Sequence, residues 1–168
     1  MPTLSVTGYD RLTFALTDTQ LVGNVIANAE VRSSVNIANG SGAGQANVAW
    51  AAETTIAAGQ AASFDLTNLP ASAFGYVGKV SISTLRDVIV VNNETAAGRY
   101  ILYGVISPQD TTGYAARINR GGSYRWNDYQ DGIAITAGNK TLYVANPSSG
   151  SVTFDMAFAG VGTYSDNS

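Results

Sequence analysis

Apolar and polar residues alternate with a period of two through residues 151–158. Val152, Phe154, Met156 and Phe158 fall on one face, and Ser151, Thr153, Asp155 and Ala157 on the other. That period marks a strand with one buried face. Residues 140–144 form a second short strand, set off by the turn-forming run Asn146-Pro147-Ser148-Ser149-Gly150. With residues 133–135 upstream, joined through Gly138-Asn139, these segments predict a three-stranded antiparallel meander. Residues 80–82 and 87–91 predict two strands with a tight corner at Ser83-Thr84-Leu85-Arg86. Residues 99–106 are apolar on both faces and predict a central strand that ends before Pro108. Residues 114–119 and 123–126 flank Arg120-Gly121-Gly122, which fits a hairpin or a bulged crossover.

Further strands are predicted over residues 47–56, around Trp50, and 61–66. Trp50 sits among small residues, where one large ring fills a gap, so it is assigned to the core. A Gly-rich loop follows through Gly75 and Gly78. Residues 20–31 carry only a weak helical period with a glycine inside it, so a helix there is disfavoured. Residues 36–47 read as a flexible loop. Counted from Leu12, the pattern gives roughly eight to ten short strands, the number and spacing of a sandwich or barrel. The fold class is therefore all-β: an antiparallel β-sandwich, jelly-roll-like because the strands are many, with an N-terminal arm over residues 1–45 and the body over 46–168. A two-sheet roll also protects its edge strands better than an open sheet.

The 168 residues contain no Cys and no His. Disulfide frameworks, thiol nucleophiles, Cys/His zinc sites and Ser-His-Asp devices are thereby excluded. The usual general base at neutral pH is missing as well. Nine basic and 12 acidic residues give a net charge of −3 and a pI near 4.7, which argues against nucleic acid as a partner. No apolar run approaches the ~18 residues of a membrane span, and the first residues have no signal-peptide pattern. Asp128 and Asp131 are the one close acidic pair. They are too few oxygens for a calcium loop and read as Asx-turn formers. No enzyme, cofactor or metal is expected.

The most distinctive stretch is 114–129, which carries Arg117, Arg120 and Arg125 together with Tyr114, Tyr124, Trp126 and Tyr129. Arg, Tyr and Trp join large contact area to directed hydrogen bonds and are enriched where proteins meet. The stretch fits a subunit interface, a glycan platform of stacking rings, or phosphate and base contacts. It also fits a plain hairpin of core aromatics whose arginines pair with Asp128 or Asp131. The 24 alanines and low charge favour close, permanent packing between subunits over free monomeric life.

The run Gly138-Asn139-Lys140-Thr141-Leu142-Tyr143-Val144-Ala145-Asn146, the strand pattern over 152–162 and the turn Ile118-Asn119-Arg120-Gly121-Gly122-Ser123-Tyr124 carry a resemblance. In an all-β, Cys-free body with an N-terminal arm, they resemble the small jelly-roll virion structural proteins of tailed bacteriophages, over about residues 50–164. The resemblance implies a non-enzymatic capsid decoration or cement protein, or a head- or tail-associated one. It implies a homo-oligomer, often a trimer, made in the host cytoplasm and bound in the virion to a major capsid protein or another virion protein. The arm would order on contact with the shell or a neighbour. The alternative is a carbohydrate- or receptor-binding module of a tail or head fibre, with Tyr124, Trp126, Tyr129 and Asp128 on one exposed face.

Overall fold

The computed structural model describes residues 6–20, 23–73, 76–105, 114–128 and 130–166. Gly75, Pro108 and Tyr129 lie outside them. The described residues form strands and no helix: β1 (Val6–Gln20), β2 (Gly23–Asn39), β3 (Gln45–Ala46), β4 (Val48–Ile56), β5 (Gln60–Asp65), β6 (Leu69–Ala73), β7 (Tyr76–Asn92), β8 (Tyr100–Val105), β9 (Ala116–Asn119), β10 (Ser123–Asn127), β11 (Ile133–Ala134), β12 (Thr141–Asn146) and β13 (Val152–Asp166). The all-β antiparallel sandwich is as the alternation predicts.

One sheet of the body runs β10-β7-β13-β4, with β6 and β11 also paired to β7; the other runs β5-β12-β8-β9. Inward residues of both sheets make one core. Trp50 stacks on Phe158 at 5.4 Å and meets Phe64 edge-on at 5.8 Å, while its Nε1–H donates to the Pro70 carbonyl at 2.7 Å. The bulkiest ring thus has its single polar atom satisfied, which is what allows it to sit in a core. Val152, Phe154, Met156 and Phe158 are all buried, as their spacing predicts.

The predicted meander is not formed. β12 pairs with β5 and β8 in one sheet, whereas β11 and β13 belong to the other. Asn146 secures the crossing. Its buried amide donates to the carbonyls of Ile56, Ala57 and Gly150, and its oxygen accepts the Ser148 N–H. A turn that joins two sheets carries the same Pro, Ser and Gly residues as a hairpin turn, so composition alone does not separate them.

The predicted corner at 83–86 is instead a continuous strand with two bulges. In the β7–β13 register Ile82 faces Gly162, Thr84 faces Val161, Leu85 faces Gly160 and Asp87 faces Ala159, so Ser83 and Arg86 are passed over. Each extra residue shifts the alternation by one. Ile82, Leu85 and Val88, spaced by three, are therefore all buried. The partner strand must come close at both bulges. A Cβ on Gly160 would stand 2.2 Å from the Thr84 oxygen, and one on Gly162 2.0 Å from the Ser81 oxygen, so only glycine fits there.

Residues 1–45 are predicted as an arm, and the described part of that arm is a β-ribbon. β1 and β2 pair antiparallel from Val6↔Ile37 out to Gln20↔Gly23, and no helix forms over 23–31. The predicted flexible loop at 36–47 is closed up. β2 continues to Asn39, the Gly40 N–H donates to the Ala46 carbonyl at 3.1 Å, and the Gln45 side chain accepts the Gly42 N–H at 2.9 Å. Ile37 and Ala46 are buried at this base. The bulged Arg86 reaches the same place, donating to the carbonyls of Gly42 and Gln130.

Candidate functional site

The stretch 114–128 is a crossing between the two sheets, not a hairpin. β9 pairs with β8, and β10 pairs with β7 in the opposite sheet. Between them Gly121 takes φ 66°, a left-handed turn that suits glycine. The Gly121 N–H donates to the Asn92 carbonyl, the Gly122 N–H to the Asn119 carbonyl, and the Arg120 N–H to the Arg99 carbonyl. Buried Asn92 completes the joint by donating through its side chain to the Ile118 carbonyl at 3.0 Å.

The crossing distributes the singled-out residues over three environments. Arg117 is exposed on the outer face of β9, its guanidinium 3.8 Å above the Tyr100 ring and its Nε donating to Asn119. Arg120 sits at the corner and donates to the Thr95 carbonyl at 2.7 Å. Along β10 the register sets the direction of each residue. Tyr124 and Trp126 lie opposite buried Val90 and Val88 and pack against the core, while Arg125 lies opposite exposed Ile89. The Tyr124 ring is 5.2 Å from that of Tyr103. Burial of Tyr103, with Tyr124 beside it, pushes its phenol well above the ordinary tyrosine range.

Arg125 makes a two-bonded pair with Asp87 on the neighbouring strand, at 3.1 and 2.7 Å, with both side chains nearly buried. The reading in which the arginines pair with Asp128 or Asp131 therefore fails for Arg125. Its partner is 38 residues upstream, beyond the reach of any local pattern. Asp128 does what a turn residue does: its carboxylate accepts the Asp131 N–H at 3.2 Å. Of the four residues expected on an exposed glycan face, Tyr124 and Trp126 are half-buried against the core, Asp128 sits in its turn, and Tyr129 lies outside the described residues. Tyr114 is exposed, just before β9. Among the described residues there is no cluster of three or more acidic groups able to hold a metal.

Sequence reasoning missed the outer face of the sheet carrying β7, β13 and β4. There Ala157 pairs with Ala51 on one side and Ile89 on the other, and Ala49 pairs with Ala159. Ile89 is 39% exposed. An open depression runs along this face, lined by Ala51, Glu53, Ile89, Val91, Asp155 and Ala157 among others. Glu53 and Asp155 stand directly opposite each other across the ladder, a like-charge pair that disfavours the isolated sheet. The depression offers no converging donors or acceptors that would orient a small molecule. It is flat, small-residued and apolar between its two carboxylates. The signal was available: alanines at 49, 51 and 157 share one parity with Glu53 and Asp155.

One ionic contact elsewhere is tuned by its surroundings. The Asp65 carboxylate accepts from the Thr67 hydroxyl at 2.6 Å, the Thr67 N–H at 2.9 Å and Lys140 at 2.9 Å. The Thr67 hydroxyl, then Lys140, lowers its pKa to about 2. It closes the turn after β5 and has no chemistry beyond that.

Comparison with models of protein families, with curated proteins and with solved structures finds no match to this chain.

Proposed function

We propose that this chain is a non-enzymatic structural protein of a tailed-bacteriophage virion, of the decoration or cement type, acting as a homo-oligomer on a protein shell. The observation that carries the reading is the nested order of the strands. The first long strand of the body lies beside the last (β4–β13). Moving inward, β5 lies beside β12, β7 beside β10 and β8 beside β9. That is the order produced by winding one long antiparallel ribbon into two sheets, and we read it as a jelly roll. The architecture serves viral shells and lectins among others, so it narrows the function without fixing it.

Two features favour the shell over the lectin. Two of the rings that would stack on a sugar, Tyr124 and Trp126, are half-buried and pack against the core. The exposed face of β4, β13 and β7 is flat and alanine-rich, suited to lying against another protein surface at short distance. The arm, in this reading, is the β1–β2 ribbon at the edge of the roll.

Two measurements on the full chain test the reading. Sedimentation velocity at tens of micromolar is expected to give one discrete oligomer; a monomer throughout removes self-assembly. Co-sedimentation with heads built from the major capsid protein of the same genome is expected to show saturable binding. A glycan array that lights up while head binding is absent would replace the reading with the lectin one.

A further inference from the structure

The two body sheets end on edges of unequal quality. At one flank of the larger sheet, β6, β10 and β11 are pieces of five, five and two residues. The edges of the other sheet, β5 and β9, have six and four. β4 closes the larger sheet with nine residues, and its register against β13 runs from Val152↔Ile56 to Gly160↔Val48 without a shift. Among the described residues β13 is its only lateral partner. The free flank of such a strand presents a row of unpaired N–H and C=O groups, which proteins blunt with proline, lysine, bulges or brevity. β4 has none of these, and its one charged residue is Glu53. The core behind it is left ajar as well. The inward residues Val48, Trp50 and Ile56 are buried, but Ala52 and Thr54 at the middle of the strand are only half-buried. A long, regular edge with open core positions behind it fits one more strand.

We propose that β4 pairs antiparallel with β4 of a second copy across a two-fold axis, so that the larger sheets of two bodies run on into one. The inference rests on the self-assembly proposed above and names the surface responsible. Two arguments point to a copy rather than to a foreign strand. The first is register. Both faces of the sheet continue only where each residue meets one of its own parity. Full overlap of Val48–Ile56 with itself satisfies this, with Ala52 on the axis. Val48 then meets Ile56, Trp50 meets Thr54, and half-buried Ala52 meets its own counterpart, as an isologous contact requires. The inward residues stay inward, and the open middle of the edge is covered from the side. The second is charge. An axis moved by one residue, to Glu53, would set two carboxylates directly opposite each other, a destabilising pair. With Ala52 on the axis, each Glu53 meets Ala51 of the second copy instead, and each Ala49 meets Thr55. The strand is thus self-complementary at the one register that overlaps it fully, and the main-chain bonds of the new ladder supply the adhesion.

Single cysteines in the full chain, which has none of its own, read the register. Under mild oxidation Ala52→Cys is expected to give disulfide-linked dimers on denaturing gels. Ala49→Cys and Thr55→Cys are each expected to give none alone, and to crosslink once the two variants are mixed. In parallel, Ala51→Glu sets a carboxylate against each Glu53 of the other copy. It is expected to raise the dissociation constant of the dimer about tenfold in sedimentation velocity, and adding Glu53→Gln is expected to restore it. Ala51 and Glu53 are exposed, so the near-ultraviolet signal of the Trp50 core is expected to stay unchanged. Failure of either crosslink, or crosslinking by Ala49→Cys alone, overturns the β4 edge. An oligomer indifferent to Ala51→Glu does the same, yet leaves self-assembly standing through another surface. If that variant keeps its oligomer but no longer binds heads, the edge takes a strand of the shell protein and self-pairing is overturned. A wild-type chain that is monomeric throughout takes down both proposals.

Discussion

The body and the ribbon are made from the same kind of strand and solve opposite problems. In the body every long strand has neighbours on both sides or a facing sheet, and the large apolar residues are closed over: Phe154, Val90, Ile101 and Val144 are completely buried. In the ribbon two strands of similar length are joined by a single antiparallel ladder, and β3 adds only a two-residue parallel contact at the base. Burial in the body is a property of the chain. The ribbon has one ladder of its own and a two-residue contact at its base. The comparison teaches that alternation specifies a face but not what the face meets.

The sharpest way to break this contrast is at the centre of the body. Trp50→Ala removes the stacking on Phe158, the edge contact with Phe64 and the bond to Pro70, and leaves a cavity. A loss of ~3–5 kcal/mol in urea unfolding is expected. A smaller effect follows from pH. The Tyr103 phenol is held neutral by burial, so its pKa in the folded protein is raised above the unfolded value near 10. Its contribution to stability is therefore fully present below pH 10 and lost as pH rises beyond that. Melting temperature measured from pH 8 to 11.5 is expected to fall above pH 10, and Tyr103→Phe, which keeps the ring and removes the proton, is expected to flatten the fall. The smallest effect belongs to the ribbon. Leu12→Ala is expected to move the unfolding midpoint of the body by less than about 0.5 kcal/mol, because β1 contributes no strand to either body sheet. If that substitution costs as much as a core truncation, body and ribbon are one cooperative unit and the contrast fails.

Most of the body's architecture was legible wherever the period of two was unbroken. β13 and β4 show it, and Val152, Phe154, Met156 and Trp50 fall inside as their parity requires. Reading failed where the period was deliberately interrupted. Ser83 and Arg86 each add one residue to β7, so Ile82, Leu85 and Val88 come inward at a spacing that looks like a corner. It failed again where a sheet partner is remote. The bond between Arg125 and Asp87, and the pairing of β12 with β5, join residues that only the finished sandwich brings together. In the stretch 114–128 the crossing between sheets sends the singled-out side chains to different sides, and no local pattern encodes that.

The nesting of strand pairs has a kinetic consequence. β4, which ends at Ile56, has no lateral partner until β13, which begins at Val152, has been made, so the first body strand waits for the last. The β1–β2 hairpin needs only its own 34 positions, from Val6 to Asn39, and forms on the microsecond scale of local pairing, against milliseconds to seconds for a topology of long-range contacts. The ribbon is therefore in place before the outermost strand pair of the body can form.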